Sequence, residues 1–201
     1  MRTTTLYLFI AIVLISGCAR PYRKINMSSI PFKDYRTENK ISYSVRQGVM
    51  YNMKNFFYAK KEQKKNVSLM AFKIVNKSEL PININDLQFS CGASVPIMPV
   101  KMDEYYNTVK QKSALYWLYS PGVVVYPRPP KGSGKFIPLP FGLPIAAANF
   151  AIAYKANKKM QHDIQMLDLA NKVIQPNDSI QGILTFKNVA NCGDIFITVK
   201  E

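Results

Sequence analysis

The chain has 201 residues, of which 48% are hydrophobic and 19% charged, and its formal net charge is +15. The length suits one domain with its own core, and the hydrophobic content excludes a mainly disordered chain. The excess of Lys and Arg indicates an anionic partner or surface, although lysines also keep an aromatic-rich domain soluble. Both interpretations of the charge stay open at this point.

The first predicted element is a secretory signal at residues 1–17. Arg2 supplies the basic start, an apolar run follows from Leu6 to Ile15, and Ser16 and Gly17 are small. The apolar run is shorter than the roughly 20 residues that a helix needs to cross a bilayer. The segment therefore predicts secretion and not a transmembrane anchor.

The residues from Ile15 to Cys18 resemble the lipobox of bacterial lipoproteins, in which an aliphatic residue and two small ones precede a cysteine. The resemblance implies that Cys18 receives a diacylglyceryl group and that the signal is removed before it. Two or three acyl chains anchor a protein firmly, because each buried methylene contributes about 0.8 kcal/mol. An ordinary signal peptide with a chance cysteine at this place is the alternative.

The residues after the cysteine indicate a destination. The best-known sorting rule for such lipoproteins retains them in the inner membrane through an Asp at the next position, which here is Ala19. We therefore expect anchoring in the outer membrane of a Gram-negative bacterium. Lipoproteins exported to the cell surface often begin with an acidic run, whereas Arg20, Arg23 and Lys24 are basic, which favours a periplasm-facing protein. Residues 18–40 show no hydrophobic period and are expected to be the lipidated cysteine and a tether.

A strand-rich domain is predicted over residues 41–201. Val49 to Tyr58 is aromatic and partly alternating, which favours a strand, and the basic run from Lys60 to Lys65 is expected to turn the chain. Val67 to Val75 is apolar on both faces, as in a central strand. A polar turn and a second strand from Leu80 to Phe89 complete a predicted hairpin.

Two more strands are predicted near the end of the chain, from Ile180 to Phe186 and from Asp194 to Lys200. The pattern Ile-x-Pro-Asn-Asp-Ser-Ile-x-Gly-Ile-Leu-x-Phe at 174–186, with an earlier apolar strand followed by Asn-Lys-Ser and Pro-Ile-x-Ile, resembles small extracytoplasmic immunoglobulin-like domains of bacterial lipoproteins. Those domains usually read Pro-Gly-Glu where this chain has Asn177 and Asp178 in place of Gly-Glu. The resemblance implies an immunoglobulin-like β-sandwich, a fold that by itself implies no activity.

Residues 102–170 interrupt this pattern and predict a helical and Pro-rich insertion. Met102 to Leu118 is expected to be helical, and a second helix is expected from Ile145 to Leu169. The uncharged stretch from Phe136 to Tyr154 is long enough to suggest a membrane span, but its prolines and Gly142 argue against one. The predicted fold class is therefore mainly β with an α insertion.

The apolar part of the insertion has two interpretations. In the first it packs inside the domain, and in the second residues 119–154 dock into the membrane interface or onto an envelope protein. Anionic lipid is the expected membrane partner, because the insertion also contains lysines. In the second interpretation, the expected contact residues are Lys135, Phe136, Phe141, Lys155, Lys158 and Lys159.

Two cysteines, Cys91 and Cys192, remain once Cys18 is lipidated, and an oxidising compartment favours pairing them. Their disulfide would close a loop of about a hundred residues and so restrict the unfolded chain. Two free buried thiols are the alternative, whereas the spacing fits neither a metal site nor a redox motif.

The sequence contains no recognisable catalytic motif. Its one histidine, His162, stands outside any nucleophile–base pattern, and the acidic residues form no recognisable pair. We therefore predict no enzyme, no cofactor, no metal and no nucleic-acid partner. The expected function is a non-catalytic binding or structural component of the envelope, with a lipid-interacting protein as the alternative and an enzyme as a remote one.

Overall fold

The computed structural model describes residues 19–32, 35–38, 40–92, 95–119, 142–189 and 192–200. Cys18, Lys135, Phe136 and Phe141 lie outside these residues, as do residues 120–141 of the predicted Pro-rich insertion. The chain divides into two compact units. Unit 1 comprises Met1–Pro21 and Gln111–Lys158, and unit 2 comprises Tyr22–Lys110 and Lys159–Glu201.

Ten short strands in the described residues form three antiparallel sheets, all of them in unit 2. A five-stranded sheet has the order β1-β2-β3-β9-β7, a three-stranded sheet has the order β10-β5-β6, and β4 pairs with β8. The chain is therefore β-rich, as predicted. The strands are β1 (Arg36–Glu38), β2 (Ile41–Arg46), β3 (Val67–Asn76), β4 (Ile82–Asn83), β5 (Leu87–Cys91), β6 (Val95–Ile97), β7 (Pro99–Val100), β8 (Val173–Ile174), β9 (Ser179–Lys187) and β10 (Ile195–Val199).

The described residues also form four α-helices, which makes the fold mixed. The longest of them agrees with the helix predicted from Ile145 to Leu169. None of the described helices is long and apolar enough to span a membrane. The helices are α1 (Val49–Asn52), α2 (Phe56–Lys65), α3 (Met102–Val109) and α4 (Gly142–Leu167), and 3-10 segments cover Met27–Ser29, Ile84–Asp86 and Ser113–Tyr119.

The strand predicted from Val49 to Tyr58 is wrong, because this segment forms α1 and the start of α2. The basic run that follows does not turn the chain but continues α2 to Lys65. Tyr58 and Glu62 are both buried and lie one helical turn apart, so the burial follows the helical period. The lysines of the run supply the polar face of this helix.

Strand β3 is central in its sheet, as its two apolar faces predicted. It pairs with β9 from Val67 opposite Lys187 to Val75 opposite Ser179, and with β2 along its other edge. Both edges of β3 are thus occupied by strands that are not its successor in the chain.

The predicted hairpin between β3 and the following strand is therefore wrong. The segment after β3 divides into β4, which pairs with β8, and β5, which pairs with β10 and β6. Where the chain leaves β3, Nδ2 of Asn76 donates hydrogen bonds to the carbonyl oxygens of Leu80 (2.8 Å) and Ile174 (3.1 Å). These bonds connect the end of β3 to the segment before β4 and to β8.

The two larger sheets share one hydrophobic core. Phe72 of β3, Phe89 of β5 and Phe186 of β9 meet with ring centroids 5.3 to 5.9 Å apart. Such aromatic pairs stabilise a core beyond the area they bury. Other buried members of this core are Ile41, Tyr43, Met70, Ile74, Leu87, Leu184, Ile195 and Ile197.

Unit 1 is held together by reciprocal hydrogen bonds of two buried amide side chains. The backbone N–H of Gln111 donates to Oδ1 of Asn157, and Nδ2 of Asn157 donates to the carbonyl of Gln111, each at 2.8 Å. The side chain of Gln111 makes the same double contact with the backbone of Arg20, at 3.0 and 2.6 Å. Within residues 18–40, predicted to be the lipidated cysteine and a tether, Ala19, Tyr22, Ile25 and Ile30 are buried.

Candidate functional site

Unit 2 contains a cleft of about 680 Å³ that is lined by residues of α1, α2 and β3. We call it the helix cleft. Gly48 lies at the junction of β2 and α1 with φ 67°, a left-handed conformation that glycine adopts without steric cost. The volume is within the range of small-molecule sites, which is about 300–1,000 Å³.

A buried carboxyl group, that of Glu62 on α2, lines the helix cleft. Its Oε1 accepts hydrogen bonds from the backbone N–H of Leu69 and from the hydroxyl of Tyr105, both at 2.8 Å. No described residue donates a hydrogen bond to its Oε2. Burial raises the pKa of Glu62 to about 7, although both hydrogen bonds act in the opposite direction.

Two exposed aromatic side chains stand at the same cleft. Tyr51 and Phe56 are 65% and 55% exposed, and their rings meet edge to face with centroids 5.2 Å apart. Exposed aromatic rings beside a cleft are typical of surfaces that contact a ligand. We call this pair the aromatic wall.

The polar rim of the helix cleft includes a side chain that is held in place. Nε2 of Gln47 donates hydrogen bonds to the carbonyl oxygens of Cys192 and Gly193, both at 3.1 Å. These bonds fix the amide at the end of β2. The other polar residues of the rim are Asn52, Lys60, Gln63 and Asn66.

Gln47 also lines a second pocket of about 280 Å³, so the two pockets adjoin at this residue. We call the second one the arginine pocket. Nη2 of Arg36 lies 2.9 Å from Oδ2 of Asp194, and its guanidinium lies 4.6 Å from the ring centroid of Phe196. Nε of Arg46 is buried and has no hydrogen-bond partner among the described residues.

Cys91 and Cys192 are joined by a disulfide, with Cα atoms 5.4 Å apart. Cys91 ends β5 and lies opposite Ile195, the first residue of β10. The disulfide therefore restrains the loop of Cys192 and Gly193, whose carbonyl oxygens accept the hydrogen bonds of Gln47. Gln47 lines both pockets, so the disulfide stabilises a residue that they share.

Unit 1 exposes an apolar surface. The backbone N–H of Ala19 donates a buried hydrogen bond to Oδ1 of Asn149 in α4, at 2.8 Å. Because Ala19 directly follows Cys18, the predicted lipidation site is covalently next to a residue fixed on α4. Exposed large apolar residues of unit 1 are Leu115, Trp117, Leu118, Leu143, Ile145, Ile152 and Tyr154.

The three predicted contact lysines that the structure describes, Lys155, Lys158 and Lys159, are exposed on α4. Nζ of Lys158 lies 5.0 Å from the ring centroid of Tyr154, which in turn stacks on Phe150 at 6.0 Å. None of these lysines is among the described residues that line the helix cleft or the arginine pocket.

Sequence reasoning missed Glu62, the aromatic wall and both arginines. Glu62 stands inside a run of lysines, which led to its interpretation as part of a solvated turn. The spacing of four residues between Tyr58 and Glu62 was the available signal of a shared helical face.

Among the described residues, no group of three or more His, Cys, Asp or Glu side chains is placed to hold a metal ion. Compared with known proteins, the chain matches no family model, no curated sequence and no solved structure. The function is therefore inferred from the chemistry of the described surfaces.

Proposed function

We propose that this protein is a lipid-anchored component of the bacterial envelope that binds a ligand and does not transform it. The proposal rests mainly on the helix cleft, where the aromatic wall stands beside the buried carboxyl group of Glu62, whose Oε2 accepts no hydrogen bond from a described residue. A concave site with a few convergent polar groups and a perturbed carboxyl is the usual form of a ligand site. The resemblance of residues 15–18 to a lipobox supports the anchor.

Binding is a better interpretation of this cleft than catalysis. Glu62 is the one acidic residue among the described residues that line it, and no described His or Cys does so. Glycoside hydrolysis usually needs two carboxyl groups, and nucleophilic catalysis needs a nucleophile beside a base. His162 is exposed on α4 and does not line the cleft.

For the body of the protein we propose an immunoglobulin-like sandwich with added helices. The three phenylalanines that pack between the two larger sheets support this arrangement. The disulfide joins the end of β5 to Cys192 in the loop that precedes β10, whereas the disulfide of antibody domains links their two sheets. Helices α1 and α2 between β2 and β3 are the additions that form the helix cleft.

Lipidation is tested by intact-mass spectrometry of protein extracted from fractionated membranes. The expected wild-type protein begins at Cys18, has the mass of an acylated chain and fractionates with the outer membrane. The Cys18→Ser variant should keep its signal or remain unlipidated. A wild-type protein with an unmodified cysteine would overturn the anchor.

Ligand binding is tested by thermal unfolding of the lipidated protein in detergent with fractionated soluble extracts of the envelope. A ligand that binds only the folded state raises the unfolding temperature by mass action. At least one fraction should raise it for the wild type and for Tyr154→Ala, but not for Tyr51→Ala. Tyr154 is the matched control because it is an exposed tyrosine outside the cleft. If no fraction has this effect, the binding function is wrong.

A second candidate function is docking of unit 1 into the membrane interface. The hydrogen bond from Ala19 to Asn149 supports it, because the anchor then leaves the protein at the unit that exposes Trp117, Leu143 and Ile152. An anchored protein needs little additional attraction to dock, and lysines on α4 suit anionic headgroups.

Docking is tested by flotation of the chain beginning at Ala19, without lipid, on vesicles of graded anionic content. The expected result is flotation that salt or the pair Lys155→Glu and Lys158→Glu abolishes. The pair Lys64→Glu and Lys65→Glu on α2 is the control with the same change of charge. A chain that stays in solution with every vesicle would show that the acyl chains alone hold the protein at the membrane.

A further inference from the structure

We infer that the helix cleft and the arginine pocket together bind an acidic saccharide, with the sugar ring on the aromatic wall and its anionic group on Arg46. The inference rests on the proposed binding function and names the class of ligand. It depends on three features of unit 2: the exposed rings, Oε2 of Glu62, and the guanidinium of Arg46, which makes no ion pair with a described residue.

The first feature is the combination of exposed rings with amide side chains. A sugar ring presents C–H groups on its faces and hydroxyl groups around its edge. The faces pack on aromatic rings such as Tyr51 and Phe56, and the hydroxyl groups need polar partners. The side chains of Asn52 and Gln63 also line the cleft and offer amide groups to such hydroxyls.

The second feature is the carboxyl group of Glu62. Tyr105 and Leu69 both bond to Oε1, so Oε2 remains as an acceptor in a cleft that is large enough for a ring. A hydroxyl group donates well to a carboxylate, and such charge-assisted bonds are stronger than neutral ones. A buried carboxyl group also lowers the stability of the folded protein, as functional groups often do.

The third feature is the arginine pocket. Arg36 is paired with Asp194, whereas Arg46, whose side chain also lines this pocket, makes no ion pair with a described residue. A planar guanidinium matches the oxygens of a carboxylate or a phosphate. Gln47 lines both pockets, so a substituent of a ring in the helix cleft can reach the arginine pocket past this side chain.

The net charge of the chain agrees with an acidic ligand. A protein with a formal charge of +15 attracts anions from a distance and accelerates their association. The anionic group is a carboxylate, as in a uronic acid, or a phosphate, as in a phosphorylated sugar. Both have oxygens that a guanidinium binds, and the probes below separate them.

The test is isothermal titration of the full lipidated protein in detergent micelles with four probes. They are a neutral N-acetylglucosamine oligosaccharide, an oligogalacturonate, a glucosamine phosphate and inorganic phosphate. At least one acidic saccharide should bind about tenfold or more tighter than both the neutral oligosaccharide and inorganic phosphate. The tighter of the two acidic probes identifies the anionic group. Equal affinity for acidic and neutral saccharides, or no saccharide binding, would overturn the inference.

Three variants locate the ligand in the two pockets. Tyr51→Ala and Glu62→Gln should each weaken the binding of neutral and acidic saccharides by roughly tenfold. Arg46→Gln should weaken the binding of the acidic saccharide by about tenfold more than that of the neutral one, so that the preference for the acidic saccharide is lost. The controls are Tyr154→Ala, Glu79→Gln and Arg23→Gln, which change the same residue types at exposed positions.

The exposed Tyr51 keeps the test independent of folding, because its removal does not disturb the core. Wild-type affinity in Tyr51→Ala contradicts the inference. If an envelope fraction stabilises the protein through Tyr51 while none of the saccharides binds, the ligand class is wrong and the binding function stands. If neither result is obtained, both proposals fail.

Discussion

The hydroxyl of Tyr105 donates a hydrogen bond to Oε1 of Glu62 across 2.8 Å, with both side chains buried. The same oxygen accepts the backbone N–H of Leu69, so one carboxyl oxygen connects α3, α2 and β3. Two hydrogen bonds do not compensate for the loss of water around a buried carboxylate. Glu62 therefore makes the stability of the protein depend on pH.

We expect the contribution of Glu62 to stability to decrease as the pH rises from about 4.5 to about 7. The pKa of Glu62 is raised from 4.5 to about 7 in the folded state, so the folded chain holds more protons in this window than the unfolded chain. The free energy of unfolding falls as the pH rises wherever the folded chain holds more protons than the unfolded chain. Here the fall is on the order of 3 kcal/mol.

The variant Glu62→Gln isolates this effect, because its amide oxygen can accept both hydrogen bonds without ionising. It should match the wild type near pH 4.5 and exceed it by roughly 1–3 kcal/mol near pH 8. Urea denaturation across this range measures the difference. The exposed Glu79→Gln is the control and should follow the wild type. A constant difference between Glu62→Gln and the wild type at all pH values would contradict the prediction.

Gly182 in β9 has no room for a side chain. A Cβ atom there would overlap the carbonyl oxygen of Leu167 and the side chain of Leu169, and the backbone cannot move cheaply. We expect Gly182→Ala to lower the free energy of unfolding by about 1–3 kcal/mol. Gly193→Ala is the matched control, since its Cβ would meet nothing within 4 Å. Chemical denaturation of both variants checks the prediction, and equal stability of the two would refute it.

The disulfide between Cys91 and Cys192 spans 101 residues of sequence. Its loss should lower the free energy of unfolding by about 3–5 kcal/mol, because the unfolded chain gains conformational freedom. The measurement is denaturation of the wild type with and without reductant, beside the double variant Cys91→Ala and Cys192→Ala. The double variant should have the same free energy of unfolding as the reduced wild type, and reductant should not change it. If reduction leaves the stability of the wild type unchanged, the prediction is wrong.

Asn157 satisfies the backbone N–H and the backbone carbonyl of Gln111 at once. In Asn157→Ala both bonds disappear, and we expect a loss of about 1–3 kcal/mol of local stability, since the buried N–H of Gln111 loses this acceptor while its carbonyl keeps the N–H of Ser113. Hydrogen exchange at the Gln111 amide should become faster. Asn107→Ala, at an exposed position in α3, is the control. Unchanged exchange at Gln111 would show that the pair contributes little.

Elements with a strong local period were predictable. Strands β3, β9 and β10 lie within one residue of their predicted ends, and α4 begins three residues before its predicted start. The helical structure of α1 and α2 was not predictable from the sequence. Short runs of aromatic residues and lysines are compatible with a strand and a turn as well as with a helix. Only packing against β3 distinguishes these alternatives.

By itself, the sequence determined the long strands, the long helix and the excess of positive charge, because each depends on neighbouring residues or on composition. It is also the sole basis for the predicted lipidation of Cys18. Tertiary structure alone decided which strands pair, and it alone brought Glu62 to Tyr105 and Gln47 to Cys192. Such contacts join residues that are far apart in the chain, and their burial and charge depend on what packs around them.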